Sequence, residues 1–143
     1  LWLLLFLQNE EEMIAQKVGM IMIDLHKFKQ INDSFGHQTG DGVLRRVVRV
    51  MKEQLREYDF IVRYGGDEFI VILTNCDECQ MPKMIERLNK AIQTVHYGTN
   101  DNMSVYADFG YSYTRKFEKK EGLLEELLRE ADENMYKNKN RKG

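Results

Sequence analysis

Phe60-Ile61-Val62-Arg63-Tyr64-Gly65-Gly66-Asp67-Glu68-Phe69-Ile70-Val71-Ile72-Leu73 decides how the rest of the chain is read. Two runs rich in β-branched and aromatic residues stand on either side of Gly-Gly and two acids, the pattern of a hairpin. Glycine tolerates positive φ and close approach, so a polyphosphate could lie against the main-chain N–H groups of Gly65 and Gly66. Asp67, the first residue after that turn, falls at the hairpin tip. A carboxylate there is poorly placed for a core and well placed for a cation. Alone, the stretch is also what an ordinary Gly-Gly-Asp turn looks like.

Composition bounds the reading. The chain has 143 residues, 43% hydrophobic and 31% charged, enough for one domain with a single core. Twenty-one basic against 23 acidic residues give a net charge of −2, which does not point to nucleic acid as a partner. Cys76 and Cys79 form one C-x-x-C; structural zinc needs four ligands, and no second Cys or His pair follows at suitable spacing. They read as two reduced thiols in a loop, which suits a reducing cytosol. The opening Leu1-Trp2-Leu3-Leu4-Leu5-Phe6-Leu7 is far shorter than the roughly 20 apolar residues of a membrane span. It also lacks the flanks of a signal peptide. It is expected to start a buried helix running to about Lys17; the alternative is the tail of a membrane span.

Outward from the hairpin, Val18-Gly19-Met20-Ile21-Met22-Ile23 is a continuous apolar run of central-strand length. Asp24 follows at once. An acid ending a buried strand must reach the rim and find a partner. If this strand neighbours the hairpin, Asp24 and Asp67 converge, and oxygen-only ligands of that kind suit Mg²⁺ or Mn²⁺ with substrate phosphates completing the shell. Metals held this way serve in-line attack of a hydroxyl on a phosphoryl group.

The segment from Leu25 to Asp41 predicts a short helix, a loop at Gly36 and Gly40, then a helix from about Gly40 to Glu57. Val43, Leu44, Val47, Val48, Met51 and Leu55 form the buried face of that second helix. Asp41 reads as a cap or dipole partner, or, with Asn32, as a reader of guanine. A carboxylate accepts from N1–H and N2–H₂ of that base, and adenine offers no matching donors. Beyond the hairpin, residues 75–81 read as a loop, and Pro82 sits in a first helical turn. Met84, Ile85, Leu88, Ala91, Ile92 and Val95 mark an amphipathic helix. His96 to Asn102 reads as a mobile turn-rich stretch. Met103 to Thr114 reads as the last strand, with its tyrosines used for packing, and residues 123–140 as the last helix.

Asp24-Leu25-His26-Lys27-Phe28-Lys29-Gln30-Ile31-Asn32-Asp33, then Gly36-His37, Gly40-Asp41 and Arg63-Tyr64-Gly65-Gly66-Asp67-Glu68-Phe69, stand in the order and spacing of the GGDEF family of diguanylate cyclases. The resemblance extends over nearly the whole chain. It implies an α/β (α+β) fold similar to polymerase palms and class III nucleotide cyclases, with a central antiparallel-mixed sheet flanked by helices. Residues 1–143 would then be a single GGDEF domain whose N-terminal motif segment is missing. The implied activity is condensation of two GTP into cyclic di-GMP. The alternative is a weak or inactive domain that binds GTP or cyclic di-GMP as a sensor.

Carried over by position, Asp24 and Asp67 would hold Mg²⁺ or Mn²⁺ with the Leu25 carbonyl, and Glu68 would support them as a catalytic acid. Asn32 and Asp41 would read guanine. Gly65, Gly66 and the backbone at Lys27 and Phe28 would lie along the phosphates, Lys29 would help neutralise them, and Lys139 would reach the triphosphate. Arg56 and Asp59 match the family's R-x-x-D inhibitory site for the product. Arginine can grip a guanine O6/N7 edge with two parallel bonds; the plain alternative is a surface ion pair worth at most about 1 kcal/mol. The product is two-fold symmetric, so the resemblance also implies a homodimer. It implies, too, sensor or regulatory domains in a longer protein, cytoplasmic with an inner-membrane anchor allowed. Two departures stand out. His26 occupies the place of the family's second acid, and Gly143 that of a C-terminal arginine, so Arg141 or Lys142 would have to substitute.

Overall fold

The computed structural model describes residues 17–118 and 122–142. The readings of Leu1 to Leu7, of the helix up to Lys17 and of Gly143 lie outside the described residues, as do the side chains of Arg141 and Lys142. The elements are β1 (Val18–Leu25), α1 (Phe28–Phe35), α2 (His37–Lys52), β2 (Phe60–Arg63), β3 (Glu68–Thr74), α3 (Gln80–Gln93), β4 (His96–Tyr97), a 3-10 turn (Thr99–Asp101), β5 (Met103–Ser104), β6 (Ala107–Thr114) and α4 (Leu123–Lys142).

Four strands form one sheet in the order β2-β3-β1-β6, every pair antiparallel. A central strand covered on both faces needs no alternation of polar residues, and β1 shows why its sequence is continuously apolar. Ile21, Ile23 and Leu25 face a core shared with Val71, Phe69 and residues of α1, α2 and α3. Met20 and Met22 face a second core with Ile70, Ile72 and the α4 residues Leu124, Leu127, Ala131 and Met135. Helices thus cover both sides. The backbone of α4 lies so close to β6 that a Cβ on Gly110 would collide with main-chain atoms of Ala131 and Met135. Glycine is required there because two backbones meet.

The predicted hairpin and the adjacency of Asp24 to it are both found: β2 pairs with β3, and β1 with β3 in the register Asp24↔Glu68. Three boundaries differ. The helix expected from Gly40 to Glu57 runs from His37 to Lys52, so Gly36 alone separates α1 from α2. Gly40 lies inside α2 because its missing side chain lets the helix pass over Asn32, whose Oδ1 a Cβ would strike. Asp41 is consequently the fifth residue of α2 and no cap. The last strand is divided: Met103–Ser104 pairs with His96–Tyr97 in a separate ladder, and Ala107–Thr114 joins the main sheet. The stretch expected to be mobile is therefore hydrogen-bonded into a hairpin of its own. Cys76 and Cys79 are both free thiols, but Cys76 is buried in the core and only Cys79 is exposed. Among the described residues no helix is long and apolar enough to cross a membrane.

Candidate active site

One end of the sheet is built from acids. Glu68 on β3, Asp24 on β1 and Asp108 on β6 are direct cross-strand neighbours, since Asp24 pairs with both others. Because side chains alternate and these three share a register line, they project from one face, the face covered by α4. Asp67 lies in the bend just before β3, and its carbonyl accepts from Leu25 N–H at 3.0 Å. In an extended residue the N–H and C=O project to the same side, so Leu25 turns its carbonyl toward the Asp67 segment. Lys139, from the last turns of α4, donates to Asp24 Oδ2 at 3.0 Å.

The crowding has an electrostatic signature. Desolvation by burial, then the neighbouring Asp24 carboxylate, raises the Asp67 pKa. Glu68 is raised by the same causes with Asp67 added. Lys139 holds its proton more tightly, first through its bond to Asp24 and also through the fields of Asp108 and Asp67. Carboxylates held together with little positive charge to balance them favour a multivalent cation. Among the described residues no three His, Cys, Asp or Glu side chains close a cage by themselves. A hard cation such as Mg²⁺ is commonly bound through one or two carboxylates and completed by phosphate oxygens and water. Asp24, Asp67 and the Leu25 carbonyl are the oxygen donors that could hold a divalent cation here.

Beside the acids opens a cleft of about 520 Å³, lined by Asp24 through Gln30 together with Asp67, Asp108 and Lys139. Lys27 stands at its turn with φ 56° and ψ 26°, a left-handed conformation that costs a non-glycine residue on the order of 1 kcal/mol. That bend starts α1 directly at the cleft. No side chain caps its first turn, so the leading N–H groups of Phe28, Lys29 and Gln30 have no intrahelical acceptor. Such a terminus attracts anions. In the turn before Asp67, Arg63 donates from Nε to the Gly65 carbonyl at 3.1 Å and from Nη2 to the Gly66 carbonyl at 2.8 Å. With both carbonyls engaged, the loop is fixed in one conformation.

Asn32 and Asp41 come together through the α1 to α2 contact: Asn32 lies against Gly40, the residue before Asp41, and Asp41 is exposed. Arg56 and Asp59 lie elsewhere, at the far end of β3. The Asp59 carboxylate accepts from Arg56 N–H, Nε and Nη2 at 2.9, 3.2 and 3.2 Å, and Arg56 Nη2 also reaches the Thr74 carbonyl at 2.8 Å. The guanidinium lies 4.6 Å from the Tyr58 ring centroid. A surface ion pair does not describe this arrangement, because the Asp59 side chain is wholly buried while that of Arg56 is 38% exposed.

Two residues escaped the sequence reading. Asp108 carried a signal, an acid inside an aromatic strand, and Arg63 was visible only as the lead-in to the turn. His26, the departure at the second-acid position, places Nε2 2.6 Å from Asp108 Oδ2.

A family model described as the diguanylate cyclase GGDEF domain matches residues 4–143. Diguanylate cyclase DosC of Escherichia coli (strain K12) is 41% identical over 76 residues, which are 53% of this chain and 16% of that protein. The diguanylate cyclase SiaD of Pseudomonas aeruginosa, solved with its activator SiaC, superposes with a TM-score of 0.82 at 28% identity, covering 96% of this chain and 54% of that one. The active GGEEF domain of a diguanylate cyclase from Vibrio cholerae gives 0.78 at 26% identity, covering 95% and 83%. The chain spans well under a fifth of the length of the first curated relatives it matches.

Proposed function

The chain belongs to the GGDEF family of diguanylate cyclase domains, and on that premise we propose that it condenses two GTP into cyclic di-GMP by metal-assisted nucleotidyl transfer. The observation that carries this reading is the crowding of Asp24, Asp67 and Glu68 at one sheet end, which raises the pKa values of Asp67 and Glu68, with a single ammonium, Lys139, on Asp24. Asp24, Asp67 and the Leu25 carbonyl would hold Mg²⁺ or Mn²⁺, with Glu68 supporting them; when bound, the ion polarises the α-phosphate and lowers the pKa of the attacking 3′-hydroxyl.

The protein's own groups bind and orient the nucleotide. Gly65 and Gly66, held by Arg63, and the uncapped first turn of α1 after Lys27 present N–H donors to the phosphates. Lys29 and Lys139 balance their charge. Asn32 and Asp41 read guanine at the junction of α1 and α2. One site offers one guanine pocket, so two copies face each other across a two-fold axis. Arg56 and Asp59 bind the product and restrain turnover. Residues 1–143 act as one output domain of a longer regulatory protein, on the cytoplasmic side.

The test is incubation of dimeric protein with GTP and Mg²⁺, scored for cyclic di-GMP beside an Asp67→Asn control. Product that disappears in the control is the expected result. A second reading, a sensor module without turnover, is favoured by one observation: an imidazole, His26, stands in the cleft at the place of an acid. Absence of product together with cyclic di-GMP binding that Arg56→Ala abolishes would establish the sensor instead.

A further inference from the structure

We propose that Asp108 on β6 is a further residue of this site, a positioning carboxylate that holds His26 and completes the anionic row binding the divalent cation. The inference rests on the reading of Asp24 and Asp67 as the cation's ligands. Asp108 is 1% exposed, in a strand whose other inward residues are apolar or small. Burying a carboxylate is costly unless it is paired or ligated. Its Oδ2 lies 2.6 Å from His26 Nε2 but makes no hydrogen bond among the described residues. An acid with one buried oxygen left without a hydrogen bond is poorly placed if it serves only the fold.

Its surroundings give it a use. Asp108 lines the same cleft as Asp24, Asp67 and Lys139. It pairs in register with Asp24, as Glu68 does on the other side, so three strands each contribute one carboxylate to a single row. Lys139, which Asp24 binds directly, also feels the Asp108 field. His26 is anchored through its backbone N–H to the Tyr106 carbonyl at 2.8 Å and through its ring to Asp108. Asp108 thereby lies against the loop that leads from Asp24 to the α1 terminus. Position 26 supplies no acid, but Asp108 delivers negative charge to nearly the same place from the adjacent strand. Supporting groups of this kind orient the direct ligands and commonly change metal affinity about 10- to 100-fold.

Mn²⁺ binding, followed by the paramagnetic resonance signal of the free ion, tests this without turnover. Asp108→Asn is expected to weaken Mn²⁺ affinity about tenfold or more, with its circular dichroism unchanged. Adding His26→Asp to that variant should restore affinity to within about threefold of the parent, because the charge returns to the same corner of the cleft. The double variant His26→Asn/Asp108→Asn should remain weak. If Asp108→Asn does not fold, Asp108→Ser and His26→Asp/Asp108→Ser make the same comparison, with the same expected and overturning results. Parent-like Mn²⁺ affinity in a folded Asp108→Asn, or equal affinity in the two double variants, overturns the proposal. Mn²⁺ binding that Asp108→Asn weakens, in a parent protein that makes no cyclic di-GMP, would sink the cyclase reading and leave this one standing.

Discussion

β3 joins two charged regions that are built on opposite principles. At its first residue, Glu68, carboxylates crowd one another and their pKa values rise. At its last, Thr74, Arg56 and Asp59 close around a backbone carbonyl, and nearby Lys17 meets Asp77 at 2.6 Å. The strand spans about 20 Å between them. At the Thr74 end every buried charge has a partner of opposite sign, which is how a fold holds an ion pair. At the Glu68 end the compensation is short, which is the condition the proposed cation site calls for.

Asp67→Asn should separate the two principles most sharply. It removes a charge the fold does not want and a ligand the chemistry needs. Cyclic di-GMP formation is expected to fall about 10²- to 10³-fold, measured by chromatography of the nucleotide products. The melting temperature of the metal-free protein should meanwhile rise by about 1–3 °C. A variant that loses activity and stability together would mean that Asp67 is held by structure, as Asp59 is.

The paired end should answer in the reverse sense, and unequally. Arg56→Leu strands a fully buried carboxylate and is expected to cost about 2–4 kcal/mol by urea unfolding. Asp59→Ala leaves a guanidinium that can turn to water and should cost about 1–2 kcal/mol. Equal costs would contradict the burial asymmetry on which the contrast rests.

Much of this arrangement was legible in the sequence because it obeys short-range rules. The β1 run ending in Asp24 and the β2–β3 hairpin around Gly65-Gly66-Asp67 announce strands with acids at their rims, and the antiparallel register then brings the acids together. What could not be read depends on which strand lies beside which. Asp108 belongs to the site only because β6 pairs with β1 on the side away from β3, a choice made by long-range packing under α4. Arg56 and Asp59 matched an R-x-x-D site for the product, but nothing in Arg56-Glu57-Tyr58-Asp59 shows that the Asp59 side chain will be wholly buried. The start of α2 was misplaced since Gly40 marks a close approach to Asn32 rather than a turn, and a glycine has the same letter in both roles.

Arg63 refines the contrast, for it is a paired charge working at the crowded end. Its two bonds to the Gly65 and Gly66 carbonyls hold an exposed loop, so little global stability depends on them. Arg63→Gln should leave the melting temperature within about 2 °C and lower kcat/KM for GTP about tenfold, the loss expected of a charged hydrogen bond worth about 1.5 kcal/mol. A large loss of stability with normal kinetics would move Arg63 to the structural side.

The smallest effect is a difference in the sign of pH dependence. The ordinary values for Asp67 and Glu68 are 3.8 and 4.5, and both are raised in the fold. In the window from those values up through the raised ones the native state binds more protons than the unfolded chain, so metal-free stability should decline as pH climbs and then level off. Asp77 behaves oppositely: Lys17 lowers its pKa from 3.8, and its contribution is present above that value and lost as pH falls through the lowered one. After solvent screening the change at the crowded end should be less than about 1 kcal/mol. Urea midpoints measured across the window should show the decline in the parent and lose it in Asp67→Asn/Glu68→Gln. Saturating Mn²⁺ should invert the slope, because the ion binds the deprotonated acids and stabilises the native state more as they ionise. A decline that survives both the double variant and the ion would place its origin outside the Asp24, Asp67 and Glu68 cluster.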